Sequence, residues 1–97
     1  MNKRLVIRKL NTTKQQLLEY GVKRLGLFGS TVRGENTKDS DIDILVDFDD
    51  QKETYMNLIA VCEILQSQFK RNKLDIVTYK GLSPYIGKTI LNEVEYV

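Results

Sequence analysis

Histidine is missing from this 97-residue chain altogether, which removes Ser-His-Asp and Cys-His catalysis, histidine general bases and most zinc sites. Cysteine is nearly missing: Cys62 stands alone, so no internal disulfide can form, and its neighbours Ile59, Ala60, Val61 and Ile64 point to an inert helix face. No stretch approaches the ~20 apolar residues of a membrane span, and the opening Met-Asn-Lys-Arg-Leu-Val-Ile-Arg-Lys lacks the apolar run of a signal peptide. A cytoplasmic protein with no membrane contact is expected. A strong charge of one sign is absent as well. The 15 basic and 13 acidic residues leave a formal net charge of +2, too balanced for a dedicated nucleic-acid binder, so direct nucleic-acid binding is not expected.

What remains for chemistry is carboxylate, hydroxyl, lysine and arginine. Carboxylate oxygens suit hard cations such as Mg²⁺ or Mn²⁺ rather than zinc. A chain of this length is expected to form one domain over 1–97, burying roughly 65% of its unfolded surface, with no room for a second catalytic domain.

The pattern along the chain alternates helix and strand. Residues 2–10 predict a short helix or arm ending at Asn11, and Thr12 or Thr13 is placed to cap a second helix that Gly21 would stop. A strand is expected from Val22 to Phe28, a short helix over 31–34, and a polar loop over 35–40. Asp41-Ile42-Asp43-Ile44-Leu45-Val46-Asp47-Phe48 then alternates with period two. Ile42, Ile44, Val46 and Phe48 share one face of that strand, and Asp41, Asp43, Leu45 and Asp47 share the other. A helix over 53–70, a third strand over 74–79 and a last helix over 84–93 follow. This is an α/β chain, one sheet covered by helices.

Within it, residues 29–43 join two devices. Gly29 allows a tight turn and Ser30 adds a hydroxyl at a helix N-terminus, a cradle for phosphate oxygens. Asp41 and Asp43, at i and i+2 of a strand, aim both carboxylates to one side, where they can bridge metal ions. Asp75 interrupts the apolar run Leu74-Asp75-Ile76-Val77, where burial would be costly unless the acid were paired or liganded. If the third strand lies beside the second, Asp75 supplies the third carboxylate; the competing reading is a strand-edge aspartate facing water. Arg33 either holds phosphate or braces the acidic loop. Ser40 caps the strand entry or supports Asp41, and Asp39, Asp47, Asp49 and Asp50 are expected at the solvated surface. Tyr85 and Tyr96 are expected to pack or to lie at an interface.

Gly29-Ser30, ten residues, then Asp41-x-Asp43 resembles the signature of the DNA-polymerase-β-like nucleotidyltransferase superfamily. The longer run from Leu27-Phe28-Gly29-Ser30-x-x-Arg33-Gly34 to Ser40-Asp41-Ile42-Asp43-Ile44-Leu45-Val46 resembles the prokaryotic minimal nucleotidyltransferases, as do Leu74-Asp75-Ile76-Val77, Ser83-Pro84-Tyr85 and Glu95-Tyr96-Val97. Val32, where many relatives carry alanine, is a mild departure.

The resemblance implies a nucleotidyltransferase fold: a small mixed β-sheet flanked by helices. It also implies Mg²⁺ (or Mn²⁺) held by the catalytic Asp41, Asp43 and Asp75, and ATP bound through Gly29 and Ser30, with Arg33 and Ser40 nearby. Larger members carry a helical domain for the acceptor, so here the acceptor is expected on another molecule. Minimal members are commonly paired with a HEPN-domain ribonuclease toxin in a hetero-oligomer and act as antitoxins, transferring AMP to one of its tyrosines. Two alternatives stay open: an antitoxin that blocks its partner by occlusion without chemistry, and a nucleotidyltransferase acting on a small molecule or RNA ends.

Overall fold

The computed structural model describes residues 2–37 and 39–97, so the expected polar loop over 35–40 is described except for Lys38. Helix α1 spans Lys3–Leu18, capped by Asn2, whose side chain accepts a hydrogen bond from the Leu5 N–H. It is one helix where two were expected. The Thr12 and Thr13 hydroxyls both donate to the Lys9 carbonyl at 2.8 Å, which satisfies them inside a helix instead of at a cap. Val6, Leu10, Thr13 and Leu17 form an unbroken buried stripe, and packing of that stripe outweighs the local preference of threonine for a helix start. Gly21, at φ +88°, turns the chain out of α1 as expected.

Strand β1 (Val22–Phe28) follows, then the one-turn helix α2 (Ser30–Arg33), β2 (Ile42–Phe48), α3 (Tyr55–Gln68), β3 (Leu74–Thr78), α4 (Pro84–Glu93) and β4 (Glu95–Tyr96). Thr54 and Ser83 cap α3 and α4 by accepting from the N–H groups of Asn57 and Ile86, and Pro84 fits the first turn of α4 because that position needs no N–H donor. The sheet order is β3-β2-β1-β4, with β2 parallel to β3 and the other pairings antiparallel. The sheet is therefore mixed, as expected. β4 was not foreseen, because two residues are too short to show a period.

The two faces of β2 separate as its alternation requires. Ile42, Ile44, Val46 and Phe48 join Leu25 and Leu27 of β1 against Val6, Leu10 and Leu17 of α1 and Val61 and Leu65 of α3. Burying each such side chain is worth about 1.5–3 kcal/mol, so this layer carries most of the stability. The opposite face is smaller, with Phe28, Leu45 and Ile90 of α4 at its centre. That second face also carries Asp43 and Asp47.

Asp47, expected in solvent, is buried at 5% exposure. Arg24 of β1 donates to its Oδ2 through Nε and Nη2 at 3.0 and 2.8 Å, and the Arg24 guanidinium lies over the Tyr96 ring, 4.6 Å from its centroid. β2 is an inner strand, so even its acid-bearing face is covered; Asp39, Asp49 and Asp50 outside the strand are exposed as expected. Tyr85 neither packs within the chain nor is shielded: it is 90% exposed. No helix among the described residues is long and apolar enough to cross a membrane.

Candidate active site

β1 runs out at Phe28, and the chain turns at Gly29 into α2. Gly29 holds φ +76° and ψ −153°, a conformation that side-chain-bearing residues rarely adopt. A second reason for glycine is spatial: a Cβ there would collide with the Asp43 carboxylate Oδ2. The turn and the acid of β2 are therefore in direct apposition. This follows from the register, which sets Phe28 opposite Asp43 in the antiparallel β1–β2 pair.

On its other side Asp43 faces Asp75 across the parallel β2–β3 pair. Two carboxylates in register on one face repel each other, and the protein leaves that repulsion standing. The Asp43 pKa is pushed from its ordinary 3.8 up to about 6, first by burial, then by the charges of Asp75 and Asp41 and by a hydrogen bond with Asp75 that favours the protonated form; the Arg33 cation pulls the other way. Asp41, one residue before β2, is exposed.

Of the two readings of Asp75, the buried acid is corrected and the strand-edge position is found: Asp75 is exposed, because β3 is an edge strand. Its alignment with Asp43 comes from strand pairing instead. The free edge of β3 bears an open hollow of about 500 Å³ lined by Asp75 with Cys62, Glu63, Gln66, Leu74 and Ile76, so Asp75 can be reached from solvent. Cys62 is half-buried on that helix face, and burial raises its thiol pKa, consistent with an inert residue.

The remaining site residues divide between the turn and the loop. Ser30, partly exposed, opens α2, and its carbonyl accepts from the Glu35 N–H at 2.9 Å. Ser40 is tied to the loop: its Oγ accepts from the Thr37 N–H at 2.8 Å, which braces the approach to Asp41. Arg33 binds no aspartate of the cluster. Its Nε donates to Glu35 at 2.6 Å and its Nη1 to Glu93 Oε2 at 2.9 Å, and these two acids, Glu35 first, raise its pKa further.

Glu93 was missed by sequence reasoning. It is the last residue of α4, and its Oε1 accepts the Gly29 N–H at 2.9 Å. The signal was present: an acid in the final turn of a helix opposes the helix dipole and calls for a partner elsewhere.

Among the described residues no three acidic side chains are drawn together as a ready-made cation cage. Asp43 and Asp75 meet, and Asp41 acts on Asp43 as a nearby charge. The donor set is all oxygen, its carboxylates crowd one another, and it lies against a glycine turn; these features fit a hard divalent cation beside a phosphate.

Residues 7–97 match the nucleotidyltransferase domain family. The chain belongs to that family. This nucleotidyltransferase is 42% identical to the protein adenylyltransferase MntA of Thermococcus cleftensis over 89 residues, covering 91% of this chain and 88% of that protein. Its fold superposes on a solved minimal nucleotidyltransferase with a TM-score of 0.83 at 27% identity, covering 98% of this chain and 95% of the other. It also shares the fold of a chain in a toxin–antitoxin structure solved with AMP-PNP, with a TM-score of 0.67 at 20% identity over 99% of this chain and 72% of that one.

Proposed function

We propose that this enzyme transfers AMP from ATP to a hydroxyl, a tyrosine, of a partner HEPN-type ribonuclease toxin in the cytoplasm, and so acts as its antitoxin. The single observation that carries the reading is the placement of Gly29 directly against Asp43, with Asp75 in register beside it. This puts the glycine turn and the carboxylate pair on one surface, which supports reading the turn as the phosphate cradle. The relative named protein adenylyltransferase supports AMP transfer to protein, and the shared fold of the toxin–antitoxin structure solved with AMP-PNP is consistent with that partner and substrate.

In the proposed reaction the acceptor oxygen bonds to the α-phosphorus, the α–β phosphoanhydride bond breaks, and pyrophosphate leaves. Asp41, Asp43 and Asp75 would hold Mg²⁺ or Mn²⁺, which when bound neutralises the triphosphate and stabilises the attacking and leaving oxygens. The Gly29 turn and the Ser30 hydroxyl receive phosphate oxygens, and the Arg33 guanidinium adds a positive charge beside them. Asp75, open to solvent on the β3 edge, is placed to take the proton of an acceptor hydroxyl. Glycine at 29 lets phosphate approach the carboxylates without an intervening side chain.

The test is incubation with the neighbouring toxin, α-labelled ATP and Mg²⁺, beside an Asp41→Ala/Asp43→Ala control. Label on the toxin that requires both aspartates is the expected result. Toxicity suppressed without any label would show inhibition by occlusion and end the enzymatic reading.

A further inference from the structure

The Gly29 turn already holds an anion, and that anion belongs to the protein. The Glu93 carboxylate accepts the Gly29 N–H at 2.9 Å and is gripped by Arg33 Nη1 at 3.2 and 2.9 Å through its two oxygens. A backbone N–H and a guanidinium converging on two oxygens of one planar anion is the recognition that a phosphate receives. The Glu93 side chain is 22% exposed, so the contact is shielded but open to exchange. It is also anchored. Glu93 ends α4, and after Val94 the chain forms β4, which pairs with β1 at Gly26 and Leu27, two residues before the turn at the nearest.

We propose that Glu93 is an internal competitor that sets the nucleotide affinity of the enzyme by occupying the anion position of the Gly29–Arg33 turn. Binding of the triphosphate is an exchange: phosphate oxygens take the Gly29 N–H and the Arg33 guanidinium, and the Glu93 carboxylate turns out to solvent. Until then the Glu93 contacts hold the turn in its phosphate-ready form, and they weaken phosphate binding by whatever they contribute. The inference rests on the nucleotide site of the preceding section, although its core, an anion site closed by a carboxylate, can be tested without nucleotide.

The experiment measures binding of inorganic tripolyphosphate and of ATP by calorimetry to the full chain, to Glu93→Gln, and to Glu95→Gln. Glu95 pairs with Lys3 at 2.7 Å, so its substitution removes the same charge without touching the turn. Glu93→Gln is expected to bind tripolyphosphate about five- to tenfold more tightly, with Glu95→Gln unchanged. A residue with a structural role alone would leave affinity the same or lower it. In case Glu93→Gln is poorly folded, the Gly29 amide and the Arg33 Nη resonances, the two donors that face Glu93, are followed by NMR in the unaltered protein during the same titration. Both are expected to shift together as phosphate replaces carboxylate.

Equal or weaker binding by a folded Glu93→Gln variant overturns the proposal, as does the absence of any Gly29 shift. Tighter tripolyphosphate binding without ATP binding would uphold the anion site closed by Glu93 and overturn its role in nucleotide affinity together with the nucleotide reading.

Discussion

Replacing Asp43 with asparagine should make this protein more stable and inactive, in a pH-dependent way that the geometry specifies. Asparagine is nearly isosteric with a protonated aspartate, keeps an N–H donor toward Asp75, and carries no charge. In the native protein Asp43 has a pKa of about 6 against an ordinary 3.8, so the folded state binds its proton more tightly than the unfolded chain does. The stabilisation from that proton is fully present below about pH 4 and lost as pH rises through 6. A pKa raised from 3.8 to about 6 corresponds to roughly 3 kcal/mol. Asp43 is only partly buried, and solvent screening reduces this to about 1–2 kcal/mol.

Thermal unfolding in EDTA is the assay, across pH 4 to 8. Asp43→Asn and the unaltered chain should differ little at pH 4, and the variant should melt roughly 4–16 °C higher at pH 8, given about 4–8 °C per kcal/mol for a domain of this size. Adding Mg²⁺ at pH 8 should raise the melting temperature of the unaltered chain and leave the variant nearly unmoved. A difference that stays constant with pH, or a variant less stable at pH 8, would refute the claim that unrelieved carboxylate repulsion is built into the site.

Other expectations follow from single contacts. Gly29→Ala should abolish nucleotide transfer and cost at least 1–3 kcal/mol in denaturant unfolding, because the residue must hold a positive φ and its Cβ meets Asp43. Arg24→Ala should lower stability by about 1–3 kcal/mol, since the buried Asp47 loses its two hydrogen bonds, with transfer activity retained. Leu65→Ala, at a fully buried position of α3, should cost about 2–5 kcal/mol by the same measure. Thr54→Ala should cost about 1 kcal/mol through loss of the α3 cap.

The elements that could be read in advance were those whose signal is local and periodic. The alternation of residues 42–48 showed β2 and its two faces, and the Ser83-Pro84 pair marked the start of α4. Glycine punctuation worked where the backbone needed a positive φ, at Gly21 and Gly29. Local signals failed where packing overrode them. Thr12 and Thr13 looked like a helix start, but a buried stripe on either side carried the helix through. Asp47 looked like surface, but strand order placed it inside and Arg24 beside it.

The sequence by itself determined the composition of the candidate site: carboxylates without histidine, a glycine at the turn, and Asp43 on the face of β2 opposite its apolar stripe, with Asp41 just before the strand. Those follow from covalent order and from the period of a strand, which one chain displays directly. Only the tertiary structure decided which distant acids join them. Asp75 reaches Asp43 through the parallel pairing of β2 with β3, and Glu93 reaches Gly29 because α4 lies across the second face and ends at the turn. Sheet order and helix docking are set by the summed burial of apolar side chains across the whole chain, and no local spacing encodes that sum.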